Sequence, residues 1–140
     1  MHGNSVVLLL AGALLLAGCT PNEVKKIEQE TQTRALALEG NKAANNYREA
    51  ADRLRDMGSA KAAEYYKKSI DAAPDIPLYR YAYADYLRKY RGPGQALFPK
   101  APNNYFMALR MLDARKESLE GPTTEDHNLR QDIGWGLTDL

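Results

Sequence analysis

The stretch NKAANNYREAADRLRDMGSAKAAEYYKKSIDAAP, Asn41–Pro74, decides the fold. Ala44, Tyr47, Ala50, Ala51 and Leu54 recur at spacings of three and four, which puts them on one face of a helix from Asn41 to Asp56. Gly58 turns the chain, Ser59 can cap a second helix through Ala73, and Pro74 ends it. Composition points the same way. Beyond residue 18 the chain is rich in Ala, Leu, Tyr, Lys, Arg and Glu and poor in Val, Ile and Thr, which favours helix over strand. The 19 Lys and Arg against 18 Asp and Glu leave a net charge of +1 with signs interspersed, so no nucleic-acid partner is expected.

The helical pair resembles the tetratricopeptide repeat. In that family a large aromatic sits early in the first helix, a small residue lets the two helices approach, and a large apolar residue follows. Tyr47, Ala51 and Leu54 match those positions. In the second helix Ala62 matches the tight crossing, Tyr66 the packing aromatic, Ser69 the small position and Pro74 the terminator. The turn is one residue shorter than the consensus of about 34 residues per repeat. A second copy starts at Pro74, with Ala84 and Leu87 in the small and apolar positions, Tyr83 before them, and Arg80 where the first aromatic is expected.

The pattern then breaks. Arg91–Pro102 holds three prolines and two glycines and reads as an inserted loop, exposing Leu97 and Phe98, which either fold back on the repeats or dock on a partner. A helix resumes at Asn103 or Asn104 and stops near Gly121-Pro122, with Phe106, Met107, Leu109, Met111, Leu112 and Ala114 as its apolar residues. This is the displaced second helix of repeat two. Thr123 or Thr124 caps a last helix, in which Ile133, Gly134 and Leu137 resemble the first helix of a third repeat. The expected fold class is therefore all-α: stacked helical hairpins forming a tetratricopeptide-like α-solenoid over residues 41–140. Without a following helix, Ile133, Trp135 and Leu137 lack a downstream cover.

In this family neighbouring hairpins stack so that their first helices line a concave groove. The resemblance implies groove-facing residues Asn45, Arg48, Asp52 and Arg55 in repeat one, and Leu78, Tyr81, Asp85, Arg88 and Lys89 in repeat two. Such a mixed, net-basic surface suits an extended peptide or a carboxylate-bearing tail. An ordinary solvated face crossed by helix salt bridges fits the same residues. It is not the carboxylate clamp of chaperone-binding members, because Asp52 and Asp85 stand where those tend to use asparagine. Tyr79, Tyr83, Tyr86 and Tyr90 share one side of a helix and read as core, whereas Tyr81 points elsewhere and is the better contact.

Upstream, Asn22 can cap a helix from Glu23 to Gly40, on which Val24, Ile27, Thr31, Ala35 and Leu38 form a narrow apolar stripe able to lie against the first repeat. Residues 19–22 form a short tether before it. Further upstream, Leu16-Ala17-Gly18-Cys19 closes an apolar run from Val6. That run is shorter than the roughly 20 residues of a spanning helix and fits the apolar part of a secretory signal. The four residues resemble the lipobox of a bacterial lipoprotein. The resemblance implies that Leu16, Ala17 and Gly18 are read by a signal peptidase, that residues 1–18 are removed as a signal peptide, and that Cys19 carries diacylglycerol and an added acyl chain such as palmitate. Thr20 follows the cysteine in place of the aspartate that favours inner-membrane retention, which implies the outer membrane, facing the periplasm.

The residue inventory argues against catalysis. Cys19 is the only cysteine, so there is no disulfide, thiolate metal site or redox pair. Beyond residue 18 the only histidine is His127, beside Glu125 and Asp126 at a helix start, where it reads as an exposed residue next to a cap. Gly92-Pro93-Gly94 lacks the Lys-Ser/Thr of a phosphate loop. No metal, no cofactor and no enzymatic activity are expected. The combined expectation is a membrane-anchored adaptor that binds another protein, such as an envelope-complex subunit of pilus, secretion or outer-membrane biogenesis machinery. A regulator that recruits a peptidoglycan or other envelope enzyme is the alternative.

Overall fold

The computed structural model describes residues 21–89, 100–116 and 121–140. Leu16, Ala17, Gly18, Cys19, Tyr90, Leu97 and Phe98 lie outside the described residues, as does the inserted stretch up to Pro99. The described elements are all helices: α1 (Pro21–Ala35), α2 (Gly40–Asp56), α3 (Ala62–Ala72), α4 (Pro77–Lys89), α5 (Ala101–Lys116) and α6 (Thr124–Thr138). Among the described residues no helix is long and apolar enough to cross a membrane.

Each helix packs on the next in the chain, and two further contacts set the arrangement. α2 touches α4, and α4 touches α6, whereas α3 and α5 do not meet among the described residues. Thus α4 adjoins both α2 and α6, while α3 and α5 stand apart. α1 packs on α2 through buried Val24, Ile27 and Thr31, and its Glu28 pairs with Lys61, just before α3, at 2.9 Å. The Thr31 hydroxyl is satisfied by donating to the Ile27 carbonyl at 2.6 Å.

The core follows from the small-and-large alternation in the sequence. Ala44, Ala51 and Leu54 of α2, Ala62 and Tyr66 of α3, and Ala84 and Leu87 of α4 are all fully buried. Alanines at the crossings let the backbones close up, and each buried leucine contributes about 1.5–3 kcal/mol. Ser69 is buried without penalty because its hydroxyl donates to the Tyr66 carbonyl at 2.6 Å. Tyr79, Tyr83 and Tyr86 are core residues, and the Tyr79 hydroxyl reaches back to donate to the Asn41 side-chain carbonyl.

Several boundaries and faces differ from the sequence expectation. α1 starts at Pro21, because proline fits the first helical turn, where its missing N–H bonds nothing. It stops at Ala35 rather than Gly40, leaving Leu36 90% exposed and Leu38 half-buried. α5 likewise begins at Ala101, with Pro102 inside its first turn. Its buried face is Ala101, Asn104, Tyr105, Ala108 and Leu112. Of the helix's other apolar residues, Phe106 is 50% exposed, Met107 and Ala114 are exposed, and Leu109 and Met111 are half-buried. Hydropathy favoured those residues, but the helix turns its tyrosine and alanines toward α4. α6 is capped by Thr123, whose hydroxyl accepts the Asp126 N–H while the Asp126 carboxylate accepts the Thr123 N–H, both at 3.1 Å. Its close-approach glycine is Gly136 rather than Gly134. A Cβ on Gly136 would lie 2.5 Å from the Tyr105 ring, whereas one on Gly134 meets nothing within 4 Å.

Candidate protein-binding face

On α2, residues three and four apart stack along one line, which brings Asn45, Arg48, Asp52 and Arg55 together. Asp52 is the hub. It accepts from Arg48 at 2.9 Å, from Arg55 at 3.3 Å and from the Tyr66 hydroxyl of α3 at 2.5 Å. Arg48 also donates to the Asn45 side-chain carbonyl at 2.9 Å, and Arg55 pairs with Asp56 at 3.1 Å. Burial first, and the neighbouring Asp52 carboxylate second, raise the Tyr66 phenol far above its ordinary pKa, so it stays a donor.

The second hairpin repeats this construction. Asp85 accepts from Arg88 at 2.7 Å and from Lys89 at 2.9 Å, and the Tyr105 hydroxyl of α5 lies 3.3 Å away as a donor. The Arg88 Nε donates to that hydroxyl at 3.1 Å, and its Nη1 pairs with Asp139, beyond the end of α6, at 2.8 Å. Burial alone would push the Asp85 carboxyl up, but hydrogen bonds from Arg88 and Lys89 outweigh it and hold the group below its usual range. The Tyr105 phenol is pushed up to about 12, chiefly by burial.

All the polar residues expected on the groove except Tyr81 thus enter ion pairs or hydrogen bonds within the chain. Asp52 and Asp56 offset Arg48 and Arg55, and Asp85 and Asp139 offset Arg88 and Lys89. The basic excess expected of this surface is absorbed locally. What it leaves open is exposed Leu78 and, beside it on α4, half-buried Tyr81, whose ring centroid lies 6.2 Å from that of Tyr105.

Tyr66 and Tyr105 were not legible as hydrogen-bonding partners of these carboxylates. Asp52 and Arg55 recur as Asp85 and Arg88 thirty-three residues on, whereas Tyr66 recurs as Tyr105 thirty-nine residues on. An internal comparison allowing six extra residues in the second turn would have aligned them. His127 is exposed in the first turn of α6, and its backbone N–H donates to the Thr123 carbonyl. No group of three metal-ligating side chains occurs among the described residues. Comparison with protein-family models, with curated proteins and with solved structures gives no match to this chain.

Proposed function

We propose that this chain is a lipid-anchored, periplasm-facing adaptor of tetratricopeptide-like architecture, whose α2–α4–α6 side binds an extended segment of another protein in an envelope assembly. The observation that carries this reading is the contact pattern: α4 adjoins both α2 and α6 while α3 and α5 stay apart, as first and second helices do in stacked hairpins. The repeated Asp–Arg–Tyr network supports it, because the same side chains fix both hairpins on that side. The anchor rests on Leu16-Ala17-Gly18-Cys19 and the apolar run before it.

Two measurements test the reading. Metabolic labelling with palmitate is expected to mark the chain and to fail in Cys19→Ser; an unmarked parent chain removes the anchor. A photo-crosslinking residue at Leu78 or Tyr81 is expected to capture one envelope protein in intact cells, and the same residue at Lys68, on α3, is not. Equal capture from both sides removes the binding face. Arg88 is a poor probe because it holds the hairpin together, so Lys89→Glu is the informative charge change.

A further inference from the structure

On the side of the molecule away from that network, α3 and α5 stand apart and leave a cleft of about 240 Å³ between them, floored by α4. Lys67, Ile70 and Asp71 of α3 form one wall, Arg80 and Tyr83 of α4 the floor, and Lys100, just before α5, the far rim. Three cations face one carboxylate there. Unlike Arg48, Arg55, Arg88 and Lys89, none of Lys67, Arg80 and Lys100 enters an ion pair among the described residues.

The floor is also built, not merely charged. Arg80 is held by a hydrogen bond from its Nη1 to the Asn104 side-chain carbonyl at 3.2 Å, and buried Asn104 in turn donates to the Lys100 carbonyl at 3.0 Å. That chain of contacts fixes the guanidinium relative to the start of α5. Two donors nevertheless remain unused: among the described residues the Arg80 Nε and the Tyr83 hydroxyl are both buried without a partner, and Tyr83 as a whole is only 4% exposed. A buried donor left unpaired is costly and calls for an acceptor. The positive end of the 16-residue helix α5 lies beside Lys100.

We propose that this cleft binds a tetrahedral oxyanion of the phosphate class, with Arg80 and the Tyr83 hydroxyl donating from the floor and Lys67 and Lys100 closing over it. A planar guanidinium and two ammonium groups lining one cleft match such an anion. Asp71 on the rim disfavours a larger polyanion. The proposal is independent of the adaptor reading, since it uses another face and other residues.

The test titrates inorganic phosphate into the full-length chain in zwitterionic detergent and follows backbone amide resonances. Saturable shifts at Arg80, Tyr83 and Ala101 are expected. Arg80→Gln is expected to weaken phosphate binding at least tenfold, Lys100→Gln several-fold, and Tyr83→Phe several-fold with an unchanged circular dichroism spectrum. Lys42→Gln, distant on α2, is expected to change nothing. Should Arg80→Gln fold poorly, the exposed Lys67→Gln and Lys100→Gln still decide. Co-sedimentation with phosphatidylglycerol vesicles, competed by free phosphate and absent with phosphatidylcholine, identifies a lipid headgroup as the source; phosphate binding without co-sedimentation identifies a soluble phosphate compound. No saturable shift up to millimolar phosphate, or binding unchanged in all the cleft variants, overturns the proposal.

Discussion

The hairpins α2–α3 and α4–α5 carry the same polar device on different packing. In both, an aspartate on the first helix accepts from an arginine one turn on and from a tyrosine of the second helix. The tyrosine ring then meets different neighbours in the two cases. Tyr66 packs on Tyr86 and Tyr83, with centroids 5.1 and 6.4 Å away, whereas Tyr105 lies against Tyr81 and the bare backbone of Gly136. The six extra residues in the second hairpin's connection leave the register of this device untouched. Lengthening a connection costs little entropy, so helix packing alone sets the register.

The largest difference between the hairpins is expected from removing each ring. Tyr66→Ala should destabilise by about 3–5 kcal/mol, because a fully buried aromatic in contact with two others leaves an unfilled hole. Tyr105→Ala should cost less, since its neighbour across the interface is a glycine and α6 can settle inward. Chemical denaturation of the two variants checks the order; equal losses break the contrast.

Gly136 sharpens it. A methyl group there would sit 2.5 Å from the Tyr105 ring, so Gly136→Ala should cost about 1–3 kcal/mol despite the better helix propensity of alanine. Gly134→Ala, two residues away with open space around it, should instead stabilise by about 0.5–1 kcal/mol. Opposite signs in thermal melts are the required result. Smaller again are the hydroxyl deletions. Tyr66→Phe should cost about 1–2 kcal/mol through the lost bond to a carboxylate, and Tyr105→Phe less, because its contact to Asp85 is longer and Arg88 still serves that carboxylate.

Particular residues mark how far the sequence could be read. Ala44, Ala51 and Leu54 are buried where periodicity placed them, and Ala62, Tyr66, Ser69, Ala84 and Leu87 are buried at the packing positions that the resemblance to the tetratricopeptide repeat implied. α5 was harder. Its stripe of Phe106, Met107 and Met111 looks like a core face by hydropathy, but facing α4 requires a register that hydropathy does not encode, and Tyr105 and Ala108 take it. On the candidate face, the resemblance grouped Asn45, Arg48, Asp52 and Arg55, but the bonds of Asp52 and Arg55 to Tyr66 are long-range contacts that charge patterning along one helix does not reveal. The oxyanion cleft was illegible for the same reason: Lys67, Arg80 and Lys100 come from three segments.

The smallest expected effect is a pH dependence that distinguishes the second hairpin. Ion pairing holds the Asp85 carboxyl below its unfolded value of about 3.9, so the native state binds this proton less readily than the unfolded chain does. The stability contributed by Asp85 is therefore complete above about pH 5, declines as the pH falls through the unfolded value, and is gone once the folded group protonates. Buried Asp126 behaves alike: burial raises its carboxyl, but the Thr123 N–H and Arg115 lower it further. Asp85→Asn and Asp126→Asn should each be less stable than the parent at pH 7 and flatten the loss of stability between about pH 5 and pH 2. Their melting temperatures should converge on that of the parent at the acid end. Parallel curves, offset equally at every pH, would show that the paired charges add nothing to the native state beyond what the neutral amide supplies, and the second hairpin would then owe its cohesion to its apolar packing.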